Sequence, residues 1–118
     1  MEFLSTEWFE AANTALAELD TAEAEIIIEQ QVHDDESPVC YQLVVEQGRA
    51  RLDPRAFRTP DVVFRQSRAT AFAVRAGQIN ALDAVQDGRI SVDGDPLRLV
   101  ASLDAVMAVD RIVAGLDI

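Results

Sequence analysis

The stretch that decides the fold runs from Asp61 to Leu103 and reads DVVFRQSRATAFAVRAGQINALDAVQDGRISVDGDPLRLVASL. It opens with β-branched and aromatic residues in segment 61–65, which predict a strand. Ser67 follows as a good helix N-cap, and Gly77 stands where a left-handed C-terminal cap is usual. The segment between Ser67 and Gly77 is therefore predicted to be a helix.

The second half of this stretch predicts a short helix, a strand and a further helix. The short helix begins at Asn80 and ends before Gly88. Segment 89–93 alternates polar with apolar residues, which is typical of a strand. Pro96 suits the first turn of the last helix, and the apolar pattern then continues almost to the C-terminus, with a break expected near residues 102–104.

Upstream of this stretch, the sequence predicts one helix followed by three strands. Ser5 and Thr6 are cap residues, and apolar residues recur at three- and four-residue spacing as on an amphipathic helix. The acidic cluster at 34–38 and the pair Gln47-Gly48 are turn signals, so we expect an antiparallel meander. The predicted strands cover residues 25–32, 39–46 and 49–52.

The composition is that of an ordinary globular domain with an acidic surface. The 118 residues are 49% hydrophobic and 26% charged, so we expect residues 1–118 to form one domain. Acidic residues outnumber basic ones by 21 to 10, every basic residue is arginine, and the formal net charge is -11. A phosphate backbone repels such a protein, so nucleic acid is not an expected partner. The absence of lysine has two alternative explanations, a coding bias and an adaptation to high salt.

Cysteine usage and the N-terminus indicate a cytoplasmic location. Cys40 is the single cysteine, so an intrachain disulfide is impossible and nothing argues for an oxidising compartment. The first residues lack the basic and apolar regions of a signal peptide. No apolar run approaches the roughly 18 residues of a membrane span, so we expect no stable membrane insertion.

No constellation in the sequence predicts catalysis, a metal site or a cofactor. His33 is the single histidine, so a catalytic triad or metal site would have to use it, yet it borders an acidic turn and is expected to be exposed. Cys40 lies in a predicted strand without a neighbouring cation to stabilise a thiolate. Asp61, Asp93 and Asp95 could in principle form a carboxylate pair, but a structural role, such as capping a helix at Asp95, explains them more simply. We therefore expect a protein that is not an enzyme.

The 61–103 stretch resembles the sterol carrier protein 2 (SCP-2) family of lipid-binding domains. The upstream helix and meander agree with that family in order, and the specific match covers a little over a third of the chain. Two departures are Ala81, where family members often carry proline, and a more extended helical segment at 104–118. The matching features are Asp61 opening a strand, Ser67 at a helix start, Phe72 within the helix, the Gly77-x-x-Asn80 corner, Ala84, and Gly88 leading a strand into Gly94-Asp95.

The resemblance implies an α/β fold of the α+β type, in which helices cover a five-stranded, mainly antiparallel sheet. It also implies an apolar tunnel between sheet and helices that accepts a fatty acid, a sterol or an acyl-CoA. Such a site needs burial of apolar surface and few polar groups, so it leaves almost no polar motif in a sequence. The same side chains would also suit a solid core. By pattern and by correspondence with the family, the expected ligand-binding residues are Trp8, Phe64, Phe72, Leu82, Val85, Leu99, Leu103 and Met107.

Three functions can be compared on this basis. The first is non-catalytic binding or transfer of an apolar ligand. The second is a scaffold of the same fold with a vestigial cavity, acting as a homodimer or as an accessory subunit of an enzyme, and an exposed apolar C-terminal helix would favour it. The third is an enzyme that uses His33 with Cys40 or Asp34, which has the least support. We expect the first.

Overall fold

The helices and strands follow one another in the predicted order. A computed structural model describes residues 2–33 and 38–116 of the chain. The expected break near residues 102–104 falls at Ser102, between the last two helices. Residues 34–37 of the predicted acidic turn at 34–38 lie outside the described residues. The elements are α1 (Thr6–Leu16), β1 (Ile26–His33), β2 (Val39–Glu46), β3 (Arg49–Asp53), β4 (Val62–Ser67), α2 (Arg68–Arg75), α3 (Ala81–Gln86), β5 (Ile90–Gly94), α4 (Pro96–Ala101) and α5 (Leu103–Ala114).

The five strands form one sheet in the order β3-β2-β1-β4-β5. β1 pairs antiparallel with β2, and β2 pairs antiparallel with β3, so the predicted meander is confirmed. β4 lies on the other side of β1 and pairs parallel with it, and β5 pairs antiparallel with β4. The expected five-stranded, mainly antiparallel sheet is therefore confirmed, and its central strand is β1.

Helices cover one face of this sheet. Because successive side chains of a strand point to opposite faces, Ile26, Ile28 and Val32 are buried beneath the helices, whereas Ile27 on the other face is half-buried. α1 packs on β3 and α5, α2 packs on β4 and α5, and α3 packs on β5. The hydrophobic core lies between the sheet and the helices, which is where the resemblance places a cavity.

An aromatic cluster docks α1 on the sheet. Ser5 caps the helix, because its hydroxyl oxygen accepts the Trp8 N–H at 3.2 Å. The Trp8 ring is fully buried and meets Phe3 and Phe9 edge to face, each at 5.1 Å between ring centroids. Tyr41 of β2 completes the cluster at 6.2 Å from Trp8. Aromatic packing against β2, which neighbours the central strand β1, therefore holds α1 on the sheet.

α4 is packed much more loosely than the other helices. None of its six residues is buried, and only Leu99 is half-buried against the core. Asp95 caps it by accepting the N–H groups of Leu97 and Arg98 at 3.1 and 3.2 Å. Among the described residues, no helix has the length and apolar character needed to cross a membrane.

Candidate functional site

A small cavity lies where the resemblance places the tunnel, between the sheet and helices α2, α3 and α5. Its volume is about 20 Å³, which is room for roughly one water molecule. Pockets for small organic ligands occupy roughly 300–1,000 Å³, so an apolar ligand enters only if the helix layer moves. The apolar lining residues are Ile28, Leu43, Phe64, Val74, Ala81, Ile90 and Val106.

Polar side chains complete the lining of this cavity, and two of them come from the sheet. Gln30 of β1 and Gln66 of β4 are both buried, and the Gln66 amide nitrogen donates to the Gln30 amide oxygen. Each is at an inward position of its strand, in line with apolar neighbours two residues away. Their mutual hydrogen bond reduces the cost of burying two amides in an apolar core.

An ion pair between a buried guanidinium and a partly exposed carboxylate supplies the remaining polar lining. Arg75 at the end of α2 donates from Nη1 to Oδ1 of Asp110 on α5 at 2.7 Å. Burial acts to lower the pKa of the Arg75 guanidinium, but Tyr41 and Asp110 outweigh it, so the net shift is upward. The guanidinium therefore stays charged inside the fold, where it joins α2 to α5.

The predicted ligand-binding residues are not gathered in one place. Phe64 lines the cavity, and Trp8 is fully buried in the aromatic cluster. Val85 and Leu99 are half-buried against the core. The other four are exposed: Phe72 at 38%, Leu82 at 59%, Leu103 at 38% and Met107 at 45%. As ligand contacts, all eight stay predictions.

The polar lining was not anticipated from the sequence, although a signal for it exists. Gln30 follows Ile26 and Ile28 at the two-residue period of an inward strand face, and Gln66 follows Val62 and Phe64 in the same way. A polar residue at such a position is predicted to be buried. Arg75 similarly follows Ala71 at a spacing of four residues, which places both on one face of α2.

Two residues considered for catalysis, His33 and Cys40, lie outside the cavity lining. His33 is exposed at the end of β1, and Asp34 lies outside the described residues. Cys40 is half-buried in β2, and burial together with the nearby Glu29 carboxylate raises the pKa of its thiol. A raised pKa disfavours the reactive thiolate. Within residues 2–33 and 38–116, no three His, Cys, Asp or Glu side chains come together as a metal site requires.

The three acids singled out in the sequence have structural partners. The Asp61 carboxylate accepts the Ile27 N–H at 2.8 Å, which joins the start of β4 to β1. Asp93 pairs with the Arg65 guanidinium on the neighbouring strand, and Asp95 caps α4. The expected cap role of Asp95 is confirmed, and each of the three acids has a structural partner.

A second, larger depression lies between residues 21–25 and the α4–α5 segment. Its volume is about 690 Å³, and it is open to solvent. Its lining carries the carboxylates of Glu23, Glu25 and Asp104. An open, acidic depression does not remove an apolar ligand from water, so the small internal cavity is the better candidate site.

Comparisons with known proteins identify the fold. No family model and no curated protein matches the sequence. Part of a double mutant of the sec-alkyl sulfatase PisA1 matches with a TM-score of 0.58 and 18% identity, over 76% of this chain and 14% of that chain. The same fold thus occurs as a small part of a longer enzyme chain.

Two further solved structures match over nearly the whole chain. Palmitated SCP2L2 from Aedes aegypti has a TM-score of 0.64 and 17% identity, over 92% of this chain and 94% of that chain. A crystal structure of sterol carrier protein 2 has a TM-score of 0.74 and 18% identity, over 98% of this chain and 100% of that chain. The fold predicted from the 61–103 stretch is confirmed, and this chain has the sterol carrier protein 2 fold.

Proposed function

We propose that this chain binds an apolar ligand between its sheet and its helices without catalysing a reaction. The observation that carries the proposal is the position of the internal cavity, which lies between sheet and helices in a fold shared with sterol carrier protein 2 along the whole chain. The palmitated state of the Aedes aegypti protein supports an acyl chain as the ligand type.

Ligand entry requires the cavity to widen, and the surrounding residues suit such a change. α3 contributes Ala81 to the lining and exposes the next residue, Leu82, while α5 contributes Val106 and exposes Met107. An apolar ligand that separates these helices from the sheet would contact Leu82 and Met107, whose apolar side chains are exposed to water in the absence of a ligand. The exposed residues of the predicted set are therefore retained in the proposal as ligand contacts.

Mass spectrometry under native conditions tests the proposal directly. Purified protein is analysed intact, and co-purifying lipid is extracted with solvent and identified. Displacement of a fluorescent fatty acid gives the affinity. A stoichiometric lipid or a saturable displacement supports the proposal, whereas a ligand-free mass together with no displacement contradicts it.

A matched pair of variants links the binding to the cavity. Val106→Phe adds volume inside the 20 Å³ cavity, whereas Val100→Phe makes the same exchange on α4, where the side chain is 68% exposed. We expect the first variant to weaken binding at least about tenfold, because the added ring occupies ligand space, and the second to leave it unchanged. Equal affinities for both variants would place the ligand elsewhere.

A scaffold role is the second candidate, and a specific surface favours it. Leu97 and Val100 on α4 are 80% and 68% exposed, and Leu103 and Met107 continue the stripe along α5 at three- and four-residue spacing. Apolar stripes of this kind often mark protein interfaces. The occurrence of the fold inside a longer sulfatase chain also fits this role.

Met107→Asp separates the two candidates. Loss of lipid binding in this variant supports the carrier function, because the charge then lies against the ligand. Unchanged lipid binding with loss of dimers in analytical ultracentrifugation supports the scaffold function instead.

A further inference from the structure

The cavity has a more polar wall than an apolar ligand requires. Arg75 is 8% exposed, and Gln30 and Gln66 are each 4% exposed. Removing a guanidinium from water is unfavourable even when a carboxylate pairs with it, so apolar side chains of similar volume are often at least as stable. A site for a wholly apolar molecule would contain few such groups. The polar wall therefore points to a ligand with a polar end.

The geometry of the ion pair indicates what that polar end is. A guanidinium presents five N–H donors in a planar fork that matches a carboxylate at two points. The contact with Asp110 at 2.7 Å uses the single nitrogen Nη1. Both partners line the cavity, so a carboxylate inside it is within reach of the same fork.

The two partners differ in their access to water. The Arg75 side chain is 9% exposed, whereas the Asp110 side chain is 29% exposed. Asp110 can therefore rotate toward solvent at little cost, because its carboxylate already touches water. Arg75 stays buried after this rotation, and its charge then needs another anion as a partner. The cavity side of Arg75 is where that anion would lie.

We infer that Asp110 is an internal placeholder for a ligand carboxylate, and that Arg75 selects a fatty acid over an uncharged amphiphile of the same length. This inference rests on the proposed function. When the ligand carboxylate replaces Asp110, the number of buried charges is unchanged and each remains paired. A fatty alcohol or a sterol brings one hydroxyl and cannot replace the carboxylate.

The test compares two probes that differ only in the head group. Dodecanoic acid and dodecan-1-ol are each titrated against protein that holds a fluorescent fatty acid, and the displacement is measured. Salt at about 150 mM screens the long-range repulsion between the acidic surface and the acid. We expect the wild-type protein to bind the acid at least about tenfold more tightly than the alcohol.

Two single substitutions move this preference in opposite directions. Arg75→Met should weaken acid binding at least about tenfold and leave alcohol binding nearly unchanged. Asp110→Asn removes the competing carboxylate and should strengthen acid binding several-fold. Arg89→Met is the matched control, since Arg89 is exposed and lies 3.7 Å from Asp87, outside the cavity lining. The control should keep the wild-type ratio.

A double variant covers the case in which a single substitution unfolds the protein. Arg75→Met with Asp110→Leu replaces the ion pair by apolar side chains, which folds in cases where half a buried pair does not. It should bind the two probes about equally. Thermal unfolding of each variant shows whether the fold is retained.

The outcomes separate this inference from the proposed function. If both probes bind and neither single variant nor the double variant changes the acid-to-alcohol ratio, the inference is wrong and the proposed function stands. If Asp110→Asn weakens acid binding while the fold is retained, the ion pair is structural and the inference is again wrong. If neither probe binds the wild-type protein, the inference is wrong, and the proposed function fails as well if the protein also purifies with a ligand-free mass.

Discussion

Asn13 and Leu52 are joined by two hydrogen bonds that attach α1 to the edge of the sheet. The Asn13 side-chain nitrogen donates to the Leu52 carbonyl at 2.9 Å, and its oxygen accepts the Leu52 N–H at 2.7 Å. β3 is the edge strand, and these bonds occupy backbone groups that point away from β2. One side chain thus completes the hydrogen bonding of an edge residue that would otherwise be open to pairing.

Asn13→Ala should destabilise the protein by about 1–3 kcal/mol, because both Leu52 backbone groups lose a partner in a partly buried place. Urea denaturation measures the change. Asn13→Asp keeps an acceptor for the N–H but turns an oxygen toward the Leu52 carbonyl, so it should also be destabilising. An unchanged urea midpoint in the alanine variant would show that water replaces the amide fully.

Gly94→Ala should be among the most damaging single substitutions. Gly94 has a φ of +119°, and an added Cβ would lie 2.3 Å from the Asp61 carbonyl oxygen and 2.8 Å from the Val62 Cα. The clash is with backbone of the paired strand, so we expect a loss of about 3 kcal/mol or more in urea denaturation.

Gly88→Ala is the matched control for that substitution. Gly88 also has a positive φ, +81°, but nothing lies within 4 Å of an added Cβ. Only the backbone conformation is then unfavourable, which costs about 1 kcal/mol. Equal losses at the two positions would show that the contact with Asp61 contributes nothing.

Asp53 should make stability depend on pH in the acidic range. Burial raises the pKa of this carboxyl, but the Arg55 backbone N–H and the Arg55 and Arg51 guanidinium groups outweigh burial, so its pKa in the folded protein is lowered. A lowered pKa stabilises the folded state above the unfolded value of about 3.9, and this stabilisation is lost as the pH falls through the folded pKa.

Comparison with Asp53→Asn isolates that contribution. The free energies of unfolding of the two proteins should differ at pH 7 and converge as the pH falls below about 4. Urea denaturation from pH 7 to pH 2.5 measures the difference. If the difference in the free energy of unfolding stays constant from pH 7 to pH 2.5, the substitution acts through hydrogen bonding and not through the charge of Asp53.

Asp95→Ala should loosen α4 with little effect on the rest of the fold. The substitution removes the acceptor for two N–H groups at the start of a helix that has no buried residue. Loss of a cap costs about 1 kcal/mol of helix stability, so the Leu99 and Ser102 amides should exchange with solvent about fivefold faster. Protection of the β1 amides should stay the same, and a loss there would mean that α4 unfolds together with the sheet.

The order of elements could be predicted because each depends on short-range signals. Ser67 caps α2 as predicted, Asn80 and Asp95 cap α3 and α4 at the predicted helix starts, and the two-residue alternation marks the strands. The parallel pairing of β1 with β4 has no short-range signal, since it joins residues that are distant in the chain. The resemblance implied only a mainly antiparallel sheet, so this pairing is known from the structure alone.

The state of the cavity could not be predicted, because apolar periodicity is the same for a packed core and for a ligand wall. Phe64 of β4 and Leu82 of α3 were both expected to contact the ligand, yet Phe64 lines the cavity and Leu82 is exposed. Burial of Arg75 depends on Asp110, which comes from a different helix. Pairings between helices are set by tertiary packing, so a one-dimensional pattern does not reveal them.

The parallel pairing of β1 with β4 affects how the chain folds during its synthesis. During synthesis β1, β2 and β3 emerge first and can form their meander at once, but one edge of β1 stays bare until β4 leaves the ribosome. A bare edge with Ile28 and Val32 on its inward face is a template for pairing with another chain. We therefore expect nascent chains that stall before Val62 to pair with one another more readily than the full chain does.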